Sequence, residues 1–212
     1  MRKLTFVLFI SFIHLTGASG QNDPRAADIL DKFSSAATSA PSVSMKFMLI
    51  TDDMAENTAD TTDGSVIISK NSYRLDLPGN IIWYNGETSW SYLQAEKEVT
   101  ITKPDKKDDS FQNKPSSIFT IYKKGYKKRL VEEKQGSYTI DLYPEDLKNE
   151  LIRVRLTLAK PSLTLKSFEY KRRDGVTITL LVKEYNLKQV PDAGTFIFSP
   201  EKYRGVEVID MR

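Results

Sequence analysis

Residues 64–102, GSVIISKNSYRLDLPGNIIWYNGETSWSYLQAEKEVTIT, constrain the fold more than any other stretch. Short runs of Val, Ile, Tyr, Trp and Leu are separated by Pro78-Gly79 and Asn85-Gly86. Gly and Asn accept the positive φ that tight hairpins demand, so both dipeptides read as reversals. Between them the residues alternate. Tyr73, Leu75 and Leu77 fall on one side and Arg74 and Asp76 on the other; later Glu96 and Glu98 oppose Val99 and Ile101. A period of two with one apolar face predicts an antiparallel meander, oily on one side and wet on the other.

The flanking segments extend this pattern. Asp23 and Pro24 suit a helix start, and Ala26, Ala27, Ile29, Leu30, Phe33 and Ala37 make an apolar stripe to about Thr38. That stripe fits either a helix fixed on a core or a movable cover over a binding surface. Ser42–Thr51 reads as a strand with Val43, Met45, Phe47 and Leu49 in alternation, and the acidic run Asp52–Asp63 as a solvated hairpin connection. That run lacks the regular spacing of a calcium loop. Pro104–Pro115 is too polar to bury and reads as a surface loop. Ser116–Tyr122 is short and apolar and fits helix or strand; serines after a proline favour a helix start, with Ile118, Phe119 and Tyr122 then on one face. Lys123, Lys124, Lys127, Lys128 and Arg129 form the one basic cluster, either a solvated turn or a docking patch for an acidic partner or anionic headgroups. Strands are expected at Leu130–Glu133, Ser137–Tyr143, Ile152–Leu158, Leu163–Tyr170 and Val176–Tyr185, then Thr195–Ser199 and Val206–Asp210. The sum is about eleven short strands and two helical pieces: a mainly β (α+β) chain with one strongly curved antiparallel sheet, open or nearly closed.

The first twenty residues stand apart. Arg2 and Lys3 precede the apolar Leu4–Leu15, and Ala18-Ser19-Gly20 is a small-residue exit. This is the pattern of a secretory leader cleaved near Gly20, rather than an anchor, since the apolar run is well short of ~20 residues. Its removal takes Arg2 and Lys3 away and lowers the formal charge from +3 to +1. Near-neutrality gives no case for nucleic-acid binding. It also removes His14, the single histidine, and the chain has no cysteine. Thiol nucleophiles, Ser-His-Asp triads, imidazole metal sites and disulfides are all excluded from the remainder. Ser199 and Lys202 have the S-x-x-K spacing of penicillin-binding serines, but in a Pro-containing tail after an expected strand and without a K-T-G partner. The glycines stand singly at turns, so no loop cradles phosphate. No catalytic residue, metal or cofactor is expected, and a binding role fits better. A curved sheet of this size offers more inward apolar side chains than one thin helix covers. Phe47, Tyr73, Trp83, Trp90 and Tyr92 concentrate where such a face would lie. Their pattern alone is equally consistent with an ordinary filled core.

Three motifs carry a resemblance. They are Tyr73-Arg74-Leu75-Asp76 after Gly64; the hairpin Asn85-Gly86-x-Thr88-x-Trp90-x-Tyr92 leading to Glu98-Val99-Thr100-Ile101; and the ending Phe196-Ile197-Phe198-Ser199-Pro200 followed by Gly205-Val206-Glu207-Val208. Together they resemble the periplasmic outer-membrane lipoprotein carriers of the LolA type. The resemblance implies residues 21–212 as a single carrier-like domain, a half-barrel with two or three helices as a lid over a hydrophobic cavity. It implies a monomeric periplasmic carrier that takes acylated lipoproteins from an inner-membrane lipoprotein-releasing ABC transporter to an outer-membrane acceptor. A same-fold protein binding or sensing another amphiphile is the alternative. The expected acyl-chain and lid residues are Ile29, Phe33, Phe47, Leu49, Tyr73, Leu75, Trp83, Trp90, Tyr92, Ile118 and Phe119. Lys70-Asn71 stands where the family often has Arg-Pro, the Arg bonding to the lid, which makes Lys70 the latch candidate.

Overall fold

The structure, a computed structural model, describes residues 22–104, 111 and 113–212. The expected leader and most of the polar excursion after Pro104 lie outside the described residues. One α-helix, α1 (Pro24–Ser39), precedes twelve strands in one sheet. Strands β1 to β6 are Val43–Asp53, Thr58–Ser69, Ser72–Leu77, Asn80–Tyr84, Ser89–Leu93 and Glu98–Thr102. Strands β7 to β12 are Tyr126–Lys134, Ser137–Pro144, Leu151–Ala159, Leu165–Arg172, Val176–Asn186 and Glu207–Asp210.

The order across the sheet is β12-β6-β5-β4-β3-β2-β1-β11-β10-β9-β8-β7. Long β1 and β11 pair in the middle, with one meander running outward from each. All pairs are antiparallel except β12, which lies parallel to β6. This order has a consequence for the middle of the chain. β6 lies beside one edge and β7 forms the other, and the chain runs between them through residues 103–125. Their described part forms 3-10 turns at Pro115–Phe119 and Ile121–Lys123 on one face.

That face also receives α1. Asp23 Oδ1 accepts from the amides of Arg25 and Ala26 at 2.9 and 3.2 Å, and Pro24 opens the first turn. Ala26, Ile29, Leu30, Phe33 and Ala37 are buried; each large side chain among them contributes about 1.5–3 kcal/mol in leaving water. They join one cluster with Phe47 of β1, Val66 of β2, Leu75 of β3, Ile82 of β4, Leu142 of β8, Leu156 of β9 and Phe168 of β10. Strands so far apart reach a common cluster over one helix only because the sheet curves around it. Gly64 permits a close approach there: a Cβ on it would meet Phe47 Cζ at 2.7 Å and Leu77 Cδ2 at 2.8 Å. The edges are blunted in different ways. β12 has four residues, and β7 is charged along its end and meets Asn22 and Asp23, whose groups bond the backbone of Lys128 and Leu130.

Several expectations change. Among the described residues there are twelve strands rather than about eleven, and a single α-helix with 3-10 turns stands in place of two or three lid helices. Ladder pairing continues into the acidic run as far as Asp53 opposite Thr58. The β-branched residues Thr58, Thr61 and Thr62 support strand, and the Asp53 carboxylate closes the turn by accepting from the amides of Ala55 and Glu56. Ser116–Tyr122 holds 3-10 turns, and Ile118, Phe119 and Tyr122 are all buried. The basic cluster is only half turn, because Lys127, Lys128 and Arg129 belong to β7. Thr195–Ser199 is not a strand: Ala193–Phe196 is a 3-10 turn and Phe198 plugs the outer face.

Candidate functional site

Alternation along β7 to β11 sends Tyr126, Val154, Phe168, Tyr170, Leu180 and Ile178 toward the face that α1 occupies. α1 covers only part of that face. Beside the β8–β9 connection it is left open, and a cavity of about 1070 Å³ remains between the sheet and the 3-10 turns. This is at the upper end of the ~300–1,000 Å³ typical of small-molecule sites. Its sheet side is Leu49, Tyr126, Leu151, Tyr170 and Ile178, and Phe111 and Ile121 face them. Phe111 stands edge-on to Phe47, ring centroids 5.5 Å apart at 87°, and so marks the border between filled core and cavity. The mouth is basic. Lys114, Lys123, Lys124, Lys148 and Arg172 line it, with Glu150 the carboxylate among the lining residues.

The cover is pinned by polar contacts. The Tyr122 hydroxyl donates to Asp31 Oδ1 of α1 at 2.7 Å. Burial and that acceptor push the phenol up to about 12. Lys128 Nζ lies 6.0 Å from the centre of the Tyr122 ring. At the start of α1, Asp23 Oδ2 accepts from the Leu130 amide of β7 at 3.1 Å. Burial raises the Asp23 carboxyl, but the amides of Leu130, Ala26 and Arg25 outweigh it and hold the group below its ordinary value. Phe33 and Phe119 rings meet at 5.6 Å, joining helix to 3-10 turn.

The expected site residues separate into three groups. Leu49 lines the cavity. Ile29, Phe33, Phe47, Tyr73, Leu75, Ile118 and Phe119 are together in the filled core beside it. Trp83, Trp90 and Tyr92 lie on the opposite face, with Ile81, Val99, Phe198, Tyr203 and Val206. The reason is the pairing: Tyr73 and Leu75 alternate with Arg74, and Arg74 stands opposite Trp83, which stands opposite Trp90. Trp83 is 5.5 Å from both Phe198 and Tyr203, and Arg74 covers its ring at 5.6 Å. The meander is thus oily on both faces, the outer one sealed by the C-terminal segment. Lys70 is exposed in the β2–β3 turn at φ 52°, while Asp23 and Asp31 hold α1. Of the basic cluster, Lys123 and Lys124 reach the cavity mouth, and Lys127 and Arg129 alternate to the outer side of β7.

Sequence reasoning missed Tyr126, Leu151, Tyr170, Arg172 and Ile178. The alternation of Phe168, Tyr170 and Arg172 with Ser167, Glu169 and Lys171 was the available signal. Among the described residues no group of three or more His, Cys, Asp or Glu is placed to hold a metal ion.

An open sheet wrapped on one helix, with an apolar cavity left under the 3-10 turns, is a geometry suited to holding an apolar ligand. The family model described as outer membrane lipoprotein carrier protein LolA matches residues 17–176, and the chain belongs to that family. A search of curated proteins finds no match. Among solved structures, an uncharacterized conserved protein from Thermus thermophilus shares the fold: TM-score 0.58 and 13% identity, over 88% of this chain and 99% of that one. A DUF1329 family protein from Desulfovibrio piger aligns with TM-score 0.48 and 10% identity over 87% and 100% of the chains. A LolA superfamily protein from Nitrosomonas europaea aligns with TM-score 0.43 and 13% identity over 82% and 97%.

Proposed function

We propose that this protein is a periplasmic carrier that shelters the acyl chains of lipoproteins in the cavity beside α1. In this reading residues 1–20 direct export and are removed near Gly20, and residues 21–212 act as one monomeric carrier domain. Cargo arrives from an inner-membrane lipoprotein-releasing transporter and leaves to an outer-membrane acceptor. The observation that carries the reading is the cavity of about 1070 Å³, left open by the side chains of the described residues and floored by Leu49, Leu151, Tyr170 and Ile178. Family membership supports it.

The physics of such a carrier is a balance. Each buried methylene gains about 0.8 kcal/mol, so a wholly enclosed pair of chains would not leave on a useful timescale. A cavity open at the mouth buries part of each chain and leaves a route for release. Mature protein is expected to hold a lipidated peptide in a one-to-one soluble complex and to ignore the same peptide without its acyl chains. Size-exclusion chromatography with mass spectrometry reads this directly, and equal retention of both peptides would overturn the reading.

A further inference from the structure

The sheet carries a second concavity, on the face opposite the cavity beside α1, and register alone builds it. Lys46 of β1 pairs with Ser65 of β2, Ser65 with Asp76 of β3, Asp76 with Ile81 of β4, and Ile81 with Tyr92 of β5. Directly paired residues point to the same side, so these form one row across the strands. Their chain neighbours Phe47, Val66, Leu75 and Ile82 are buried in the cluster under α1, which puts the row on the outer face. Along it runs a shallow groove of about 390 Å³, lined by Lys46, Ser65, Asp76 and Ile81 together with Asp63, Pro78 and Gln94. That volume lies within the ~300–1,000 Å³ of small-molecule sites.

Every charge lining the groove is already neutralised. Lys46 Nζ meets Glu184 Oε1 at 3.1 Å, and Lys183 Nζ donates to Asp63 Oδ1 at 2.6 Å. Arg74 donates to Asp76 Oδ1 from Nε and Nη2 at 3.1 and 2.7 Å. The remaining hydrogen-bonding capacity is uncommitted. Among the described residues the Ser65 hydroxyl, the Gln94 carboxamide and the Oδ2 atoms of Asp63 and Asp76 have no partner. Donors and acceptors thus stand side by side without a net field. Beside them the surface is apolar: Ile81 and Pro78 line the groove, and Tyr92 follows Ile81 in the row, its ring held edge-on to Tyr203 at 4.9 Å. A charged ligand gains nothing from three pairs that sum to zero. A neutral ring with a C–H face and a rim of hydroxyls matches both halves of the lining. We infer that this outer groove binds a neutral saccharide. Its C–H face lies on Ile81 and Tyr92, and its hydroxyls meet Ser65, Gln94 and the free carboxylate oxygens. The inference stands apart from the carrier reading and adds a second site to it.

The test titrates maltose and N,N′-diacetylchitobiose into isotope-labelled protein and follows backbone amide shifts. At least one of the two is expected to give saturable shifts, with a millimolar Kd, at Ser65, Asp76, Ile81 and Gln94, while Leu151 and Tyr170 of the cavity stay still. Ser65→Val and Gln94→Ala are each expected to weaken binding at least about threefold, and Lys166→Ala, at an exposed position away from the groove, to leave it unchanged. Gln94 is exposed, so its variant reads the site even where Ser65→Val fails to fold. Glucose, glucuronate and glucosamine then compare a neutral ring with its anionic and cationic relatives, and neither charged form is expected to bind more tightly than glucose. No saturable shift with either disaccharide overturns the inference. So do shifts confined to the cavity, affinity that both groove variants leave intact, or a preference for a charged ring. Each of these results leaves the carrier reading standing, because that reading is tested by lipopeptide capture on the other face.

Discussion

Asp141 is 1% exposed, on the outer face of β8, and its carboxylate is fully engaged. Arg155 of β9 donates from Nε and Nη2 at 2.6 and 2.8 Å, and the Tyr143 hydroxyl donates at 3.0 Å. Burial, then that hydrogen bond, raises the Tyr143 phenol; the same carboxylate raises Arg155. A buried carboxylate with its fork removed keeps its desolvation cost and loses its compensation. Arg155→Met is therefore expected to destabilise the protein by about 3 kcal/mol, measured by urea unfolding. Adding Asp141→Leu is expected to recover most of that loss, because the unpaired charge is then gone. At this scale the sequence was silent. Asp141 and Arg155 are fourteen positions apart in a chain rich in both charges, and only the β8–β9 register makes them partners.

At the scale of elements, α1 shows how much was legible and why. Asp23, Pro24 and the stripe from Ala26 to Ala37 are local signals, and the helix starts where they place it. The hairpin dipeptides Pro78-Gly79 and Asn85-Gly86 likewise turn, with Gly79 at φ 79° and Gly86 at φ 100°. What is not local is where the helix is fastened. Asp23 joins the helix cap to the edge strand β7 through Leu130, more than one hundred residues on. Because its folded carboxyl is held below 3.8, its contribution is present above that value and is lost as pH falls through the depressed one. Amide exchange in the first turn of α1 is expected to accelerate below about pH 4, before global unfolding. Asp23→Ala should remove this acid dependence and cost about 1–2 kcal/mol at neutral pH. Retention of the wild-type exchange profile in that variant would show that the cap does not fasten the helix.

At the scale of the molecule, strand order does what no segment states. With β6 next to one edge and β7 at the other, the described turns of the connection, Pro115–Phe119 and Ile121–Lys123, lie on the face that α1 leaves partly open, and the cavity is the remainder. Period two located the strands but not their sides. In β4 the neighbours Ile81, Ile82, Trp83 and Tyr84 are all apolar, so either face is plausible for Trp83 until the C-terminal segment is seen sealing the outer one. The same three-part division of apolar residues predicts three different mutant behaviours. Phe119→Glu puts a charge into a site 3% exposed and is expected to unfold the protein. Trp83→Ala, on the outer face, should cost about 3–5 kcal/mol yet leave lipopeptide capture per folded molecule unchanged. Ile121→Glu lies on the half-exposed cavity wall, so it should leave the unfolding midpoint within about 1 kcal/mol and reduce capture by an order of magnitude or more. If Trp83→Ala abolished capture while Ile121→Glu did not, the oily site that matters would be the outer face. The cavity would then be incidental to the wrapping of the sheet.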